Sequence, residues 1–537
     1  MKNISRSLVV GCSVLALSAC GGDQIVSPGT GGDIIITNPT PTPGGTPTPT
    51  PTSGTVTAAD TCPSISGSTG LTDDGVMSVP TGSYRVCILP DTFNASTTLR
   101  YIPGVLYAMD GRVNVGTDGG PLADTSDDNV PIVYGADSNV TLTIEPGVIL
   151  FAGNRTQPNG ESYLVVHRGN KINAVGTADK PIIFTSRENV VGDATDSSIG
   201  QWGGVVLLGR APVSDCFDGA FNKAAANQWQ CQQKLEGTNQ TTYYGGGNAA
   251  DSSGTMKYFQ IRFSGFALTG GSELQSLTLG GIGSGTTIDH WQSFNSSDDG
   301  MEFFGGVVNM KHVVAVGADD DTIDVDTGSQ TTMQYVIAKQ RAEGGDNLVE
   351  LDSPDSAPEP ITALPRTNLK ISNATLVGGA ATSARTLRLR GGADFSLVNS
   401  VLDAGSLSCL RIDETATFDS TGSGPPFFQS DVMSCGTTKF EGGSGVTGTQ
   451  VQGLIDGSTN VNYNFTIALT SGFINSDAIN AFTFYDAKTN VSSFFDTVDH
   501  IGAVKSAADD WWLGWTCDSS TLTFGNGTGA CTTLPVY

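Results

Sequence analysis

Positive charge is scarce in this chain. Lys and Arg number 27 of 537 residues against 53 Asp and Glu, a formal net charge of −26. Phosphate backbones are held by clustered cations, so nucleic acid is not an expected partner. Charged residues of both signs make up 15%, against roughly 25% in an average soluble protein. That shortfall argues against helical bundles and coiled coils, which are rich in Glu and Lys. Histidine occurs four times, and no HExxH or CxxC spacing is found. GxSxG, a Cys–His nucleophile pattern and a phosphate loop are also missing, so the familiar sequence marks of several hydrolase and nucleotide-binding classes do not apply. Past residue 20 no apolar run reaches the ~20 residues of a membrane-spanning helix. What the chain has instead is glycine, 69 residues, with 38% hydrophobic residues. A turn-rich all-β protein with a large core fits both figures. The length allows two to four ordinary domains or one long repeat body.

The first residues read as a targeting segment. Lys2 and Arg6 precede the apolar run Leu8–Leu17, and Leu17-Ser18-Ala19-Cys20 follows. This resembles the lipobox of bacterial lipoproteins. The resemblance implies that residues 1–19 are a signal peptide and that Cys20 becomes an acylated (palmitate-bearing) N-terminus, with several chains giving a stable membrane anchor. Gly21 stands where an Asp commonly retains such proteins at the inner membrane, which implies the outer membrane, on its periplasmic or cell-surface face. Cleavage removes two basic residues and no acids, leaving 25 − 53 = −28. Residues 20–60 form a Thr/Pro-rich tether, with Thr-Pro repeats from Pro39 to Thr52. Extended polyproline at ~3 Å per residue gives it a reach on the order of 100 Å.

Eight cysteines remain beyond Cys12 and Cys20. Spacing groups them as neighbours: Cys62 with Cys87, Cys216 with Cys231, Cys409 with Cys435, and Cys517 with Cys531. An even count in an exported chain favours disulfides, although eight cysteines allow 105 connectivities.

The middle of the chain repeats. Ile288–Asn309 written above Met310–Thr331, an offset of 22 residues, sets His290 over His312, Asp298 over Asp320, Asp299 over Asp321, Glu302 over Asp324 and Gly306 over Gly328. Further units begin near Gln334, Leu387 and Leu410. Short period-two strands separated by Gly, Asp, Asn and Ser at this period predict a parallel β-solenoid, whose turns bury apolar residues only by stacking. The segments "IEPGV", "GTADKPIIFTS", "WGGVVLLG", "GIGSGTTIDH" and "SSDDGMEFFGG" between Ile144 and Gly306 resemble right-handed parallel β-helix lipoproteins of Gram-negative bacteria. That resemblance implies fold and location, and no chemistry. The expected organisation is an N-terminal cap over 61–135, a parallel β-helix over 136–440 with an insertion at 212–250, and a C-terminal cap over 441–537. Trp511, Trp512 and Trp515 read as cap packing, with a stacking platform as the alternative.

Strand alternation points Asp324 and Asp326 outward. Aligning the apolar residues stacks Glu302, Asp324, Glu350, Arg388 and Arg411 in one column. A second column runs Phe304, Asp326, Asp352, Arg390 and Asp413. Like charges about 5 Å apart repel by about 3 kcal/mol at an effective dielectric of 20, so the ladder needs relief. A bound Ca²⁺ on Glu302, Asp320, Asp321, Asp324 and Asp326 would supply it. The alternative is a solvated acidic face with charge pairs at its arginine end. Counting an EF-hand loop from Asp319 puts Gln330 where the bidentate Glu belongs, and Gly280–Gly285 lacks the Asp of a GGxGxD repeat. Glu350, Asp352, Arg388, Arg390 and Arg411 are the expected ligand flank. The reading is a surface-anchored, non-catalytic module that presents this flank to a glycan or an outer-membrane partner protein. The enzyme alternative is a Ca²⁺-dependent polysaccharide lyase or glycoside hydrolase acting on acidic polysaccharide. For the anchor, Cys20→Ser is expected to move the protein from the membrane to the soluble fraction on cell fractionation; retention in the membrane would count against lipidation.

Overall fold

A computed structural model describes residues 55–67, 70–121, 135–153, 161–217, 231–238, 242–269, 272–342, 344–354, 361, 363–379, 384–419, 425–525 and 529–537. The signal segment, Cys20, most of the tether and parts of the 212–250 insertion lie outside these residues. The chain winds as a right-handed parallel β-helix. Its strands fall into a 17-stranded and an 11-stranded sheet, here sheet A and sheet B.

The 22-residue offset becomes a vertical step. In sheet A, strand Thr287–Phe294 pairs in parallel with Val307–Val316, which pairs with Gln330–Lys339 and then Asn368–Val377. In sheet B, Met301–Phe304 is followed by Ile323–Asp326, Asn347–Leu351, Arg385–Leu389, Ser408–Asp413 and Phe440–Gly443. Alternation sends Phe303, Val325, Leu351, Leu389 and Ile412 into the coil, where all are fully buried. Full burial of each such side chain is worth about 1.5–3 kcal/mol, which only stacking can provide.

Each long strand of sheet A is bent at one residue. Tyr258, His290, His312, Tyr335 and Asn373 have φ of 50°, 51°, 55°, 60° and 56° and drop out of the pairing register. These left-handed residues split sheet A into two limbs, so a rung has three faces. Their side chains stack up the coil: ring centroids are 4.3 Å apart for Tyr258–His290, 4.0 Å for His290–His312 and 5.0 Å for His312–Tyr335.

Two expected boundaries are corrected. The rungs begin well before residue 136: Gly82–Ile88 pairs in parallel with Val105–Met109, and that strand with Ile149–Ala152. These rungs share no fixed spacing with the central repeat, so periodicity could not find them. At the other end, helix Gly448–Asp456 buries Val451 and Ile455 in the coil interior and closes it. Residues beyond about 463 are no end cap. They return along the outer face of sheet A, and Phe473, Trp512, Trp515, Leu522 and Phe524 cover Phe294, Val314, Val316 and Ile337. The tryptophans therefore pack against the flank of the coil.

Polar side chains on that face fasten the returning strap by its backbone. Gln292 donates to the Cys517 carbonyl (3.1 Å) and accepts from the Cys517 N–H (2.8 Å). Asn399 does the same with Tyr485 at 2.9 and 2.6 Å. Fully buried Arg262 donates to the carbonyls of Cys531 and Thr533, both at 2.8 Å. The four neighbouring cysteine pairs form disulfides, and Cys517–Cys531 lies within the strap. Arg262→Met should remove both guanidinium bonds to the strap, on the Cys531 and Thr533 carbonyls, and cost on the order of 1.5–3 kcal/mol. Limited proteolysis is then expected to clip the strap beyond Trp515 while far-UV circular dichroism retains the β signal; a cleavage pattern like wild type would contradict this account.

Candidate functional site

Sheet B exposes its outer face as straight columns of side chains. Parallel pairing places Glu302 beside Asp324, Asp324 beside Glu350, Glu350 beside Arg388, and Arg388 beside Arg411. Phe304 pairs with Asp326 in the neighbouring column. The turn entering each strand adds more carboxylates. Asp299, Glu302 and Asp324 bring ligand oxygens within 4.8 Å of one another, as do Asp298, Asp299 and Asp320, and Asp320, Asp321 and Asp346. Asp298, Asp299 and Asp346 belong to this cluster although the sequence argument left them out. The repeat sets Asp298 over Asp320 and Asp299 over Asp321, so the offset that relates the two turns already pointed to them.

Three of these carboxylates are buried, while Asp320 is exposed. Asp299, Glu302 and Asp321 are 6% exposed. The insertion supplies part of the wall: Tyr244 packs on Phe304 with centroids 5.6 Å apart, and Gln275 donates to both Glu236 (3.2 Å) and Asp298 (3.1 Å). Two aspartates are held by backbone. Asp299 accepts the Asp321 N–H (2.9 Å), and Asp321 accepts the Asn347 N–H (2.5 Å). Asp324 has no such help, and its Oδ1 is occluded from solvent with no hydrogen-bond donor.

The cluster changes character along the coil. From Glu350 onward the carboxylates are paired: Arg390 reaches Glu350 (3.1 Å) and Asp352 (3.1 Å), Arg388 reaches Glu350 (3.4 Å) and Asp413 (3.3 Å), and Arg411 reaches Asp413 (2.9 Å). Arg385 adds a contact with Glu441 at 3.0 Å. A small cavity of about 170 Å³ lies between Asp346, Asn347, Arg385, Arg388 and Arg411, where the acidic and basic ends meet. On the acidic side, among the described residues, no Lys or Arg stands within 4.0 Å of Asp298, Asp299, Glu302, Asp320, Asp321 or Asp324. Burial and then neighbouring carboxylates raise their proton affinity. Asp298 rises to about 7, Asp320 to about 6 and Asp326 to about 7, and Asp299, Glu302, Asp321 and Asp324 lie well above the usual carboxylate range.

Such a site can do two things. Protonated, neighbouring carboxyls such as Glu302 and Asp324 can share a hydrogen. Deprotonated, it offers a hard cation a set of oxygens alone, the donor chemistry of Ca²⁺ rather than Zn²⁺. The occluded Asp324 Oδ1, which lacks a donor, fits such an ion. A second cluster, Asp289 with His290 and His312, suits a metal less well. Both Nδ1 atoms sit 2.8–2.9 Å from one Asp289 oxygen, and the rings stack at 4.0 Å. Stacked imidazoles aim their in-plane lone pairs side by side, so one ion cannot lie in both ring planes.

The proton affinities set a sign for pH dependence. Carboxyls whose folded pKa is raised favour the folded state when protonated. That stability is complete below about pH 4 and is lost as pH rises through about 6–7. In chelator, the melting temperature is expected to fall between pH 5 and pH 8. Asp324→Asn should flatten the fall and stabilise the protein at pH 8 by on the order of 1–3 kcal/mol. Equal slopes for the two proteins, followed by differential scanning fluorimetry, would contradict the buried ladder.

Comparison with known proteins agrees with the coil. No curated protein and no solved structure matches the chain. A family model described as "Pectate-lyase like beta helix domain" matches residues 130–516. That stretch takes in the sheet B columns, the insertion and most of the strap, and the chain belongs to the pectate-lyase-like β-helix family.

Proposed function

We propose that this protein is a lipid-anchored outer-membrane module that binds, without cleaving, an acidic glycan along the outer face of sheet B. The observation that carries the reading is the junction on one column, where donor-poor carboxylates run into ion-paired arginines. Ca²⁺ held by Asp299, Glu302, Asp321 and Asp324, with Asp320 and Asp326 at the margin, would neutralise the acidic end. A cation there would let a carboxylated sugar approach that would otherwise be repelled. Arg388, Arg390 and Arg411 would meet the same ligand as donors.

The arginines argue for binding over catalysis. A lyase needs a base that gives up its proton. Arg390 is held more firmly protonated than usual, because the charges of Asp352 and Glu350 outweigh its burial. Arg411 is likewise raised, first by its bond to Asp413. Neither suits proton abstraction. One observation favours a hydrolytic second reading: Asp298 and Asp326 have proton affinities near neutrality, which a general acid requires. The long tether would hold either activity away from the membrane, and a partner protein of the outer membrane would compete for the same face.

At pH 8, Ca²⁺ is expected to raise the melting temperature with an affinity on the order of 0.1–1 mM, typical of extracellular sites. Glu302→Gln with Asp324→Asn should remove the shift, and a melting temperature indifferent to Ca²⁺ in wild type would end the cation reading. On an acidic-glycan panel we expect Ca²⁺-dependent retention without reducing ends or unsaturated products. Steady product release would replace the binding reading with the enzymatic one.

A further inference from the structure

One stretch of the strap rests on groups that can change charge. At the bend of sheet A, His290 and His312 stack with centroids 4.0 Å apart, between Tyr258 and Tyr335. The strap closes over this column. Trp515 stands edge-on to His290 at 5.6 Å, and Trp511 lies tilted against His312 at 5.1 Å. Both imidazole Nδ1 atoms converge on Asp289 Oδ1, and Lys257 Nζ lies 3.6 Å from its other oxygen. By contrast, the amides of Gln292, Gln334 and Asn399 and the guanidinium of Arg262 hold strap backbone without titrating between about pH 4 and 8.

The register leaves the histidine pair short of counter-charge. Asp289 has Lys257 beside it on the rung before and Lys311 on the rung after, so the second histidine arrives with a cation. From the strap, Asp496 pairs with Lys311 (2.6 Å), while Asp509 accepts the Lys505 N–H (3.1 Å) and faces Tyr335. With both imidazoles neutral, Asp289 balances Lys257 and Asp496 balances Lys311. A proton on the pair has no counter-charge of its own, and two protons set like charges 4.0 Å apart. Asp289 stays ionised: burial would raise its proton affinity, but the bonds from His290 and His312 hold it well below the usual carboxylate range. Burial holds His312 below a free histidine; the Asp289 bond opposes this and the His290 charge adds to it. A charged imidazole would gain from the Trp511 and Trp515 rings, yet one such contact is weaker than repulsion between unit charges at this distance in a half-buried site.

We propose that the histidine column is an acid-operated latch: the neutral stack holds Trp511 and Trp515 down, and protonation of the His290–His312 pair loosens the strap from Phe494 to Trp515. Opening uncovers apolar sheet A residues, among them Phe294, Val314, Val316 and Ile337. It stays local, because Arg262 and the Cys517–Cys531 disulfide hold the strap beyond it. A histidine whose folded proton affinity is lowered favours the closed strap when neutral. That contribution is complete above about pH 6.5, the value of a free histidine, and is lost as pH falls below it. The sign is opposite to that of the sheet B carboxylates, and no sheet B residue takes part, so the latch stands apart from the glycan-binding reading. His500 is a further buried histidine of the strap, 3.3 Å from Asp499, which also pairs with Lys505 (2.6 Å). Burial lowers its proton affinity too, so a test has to separate the two.

Hydrogen–deuterium exchange of the full-length protein, corrected for intrinsic rates, reads the latch between pH 7.5 and 5. Protection of residues 505–516 is expected to fall at least tenfold over that range, while the sheet B strands keep theirs. His312→Tyr should match wild type at pH 7.5 and lose most of the pH dependence. Tyr258 and Tyr335 hold the same left-handed position on their own rungs, with φ of 50° and 60°, so the backbone accepts a tyrosine there. Lys257→Gln, at a partly exposed position, removes one positive neighbour and should make the fall shallower. His500→Gln should respond as wild type. Wild-type protection that is flat or rises on acidification would overturn the latch, as would a wild-type response in His312→Tyr or a response lost in His500→Gln alone. If His312→Tyr is already open at pH 7.5, Lys257→Gln decides, and a fall identical to wild type there would overturn the charge argument.

Discussion

The structure depends on the register of parallel rungs. Every outward residue of sheet B is held about 4.8 Å from its counterparts on the rungs above and below, whatever the chemistry of the pair. Hydrophobic packing inside the coil enforces this spacing, because a slip of one residue would turn Phe303, Val325 and Leu351 out of the core. The core therefore does work against the surface. It presses Glu302, Asp324 and Glu350 into neighbouring positions that free carboxylates would leave.

That conflict is resolved differently at the two ends of the column. Toward the later rungs the chain supplies its own counter-charges, and Arg388, Arg390 and Arg411 pair with Glu350, Asp352 and Asp413. Toward the earlier rungs it supplies backbone N–H groups to Asp299 and Asp321 and nothing to Asp324 Oδ1. Protons relieve the second end at low pH. A structural role alone would be served as well by Asn or Thr at these positions, at no electrostatic cost. Retaining a run of buried acids makes sense where a cation is to be held, and this is the physical content of the binding proposal.

How much of this could be read beforehand varied with how directly sequence spacing maps onto space. The 22-residue offset is a vertical step, so the pairing of Glu302 with Asp324 could be written down from the residues. Later rungs of other lengths remained legible because their apolar residues anchor the register. Asp298, Asp299 and Asp346 lie in turns, where alternation assigns no face; Asp320 and Asp321 lie in the equivalent turn and stood out only through the acidic run Asp319-Asp320-Asp321. Glu236 and Tyr244 were hidden because an insertion carries no register at all. The destination of the strap was also obscure, since tryptophans indicate burial without saying against what. A clue lay in Val313-Val314-Ala315-Val316, apolar on both sides of a strand whose sheet B neighbours alternate. Such a run marks a strand covered on both faces.

The strap also explains why ligand chemistry concentrates where it does. One limb of sheet A loses its outer face to Phe473, Trp512, Trp515 and Phe524. The stacked Tyr258–His290–His312–Tyr335 column at the bend is flanked by Trp511 and Trp515. Aromatic and histidine groups that would otherwise make an attractive binding platform are thereby spent on holding the strap. Sheet B keeps its charged columns, walled in part by the insertion.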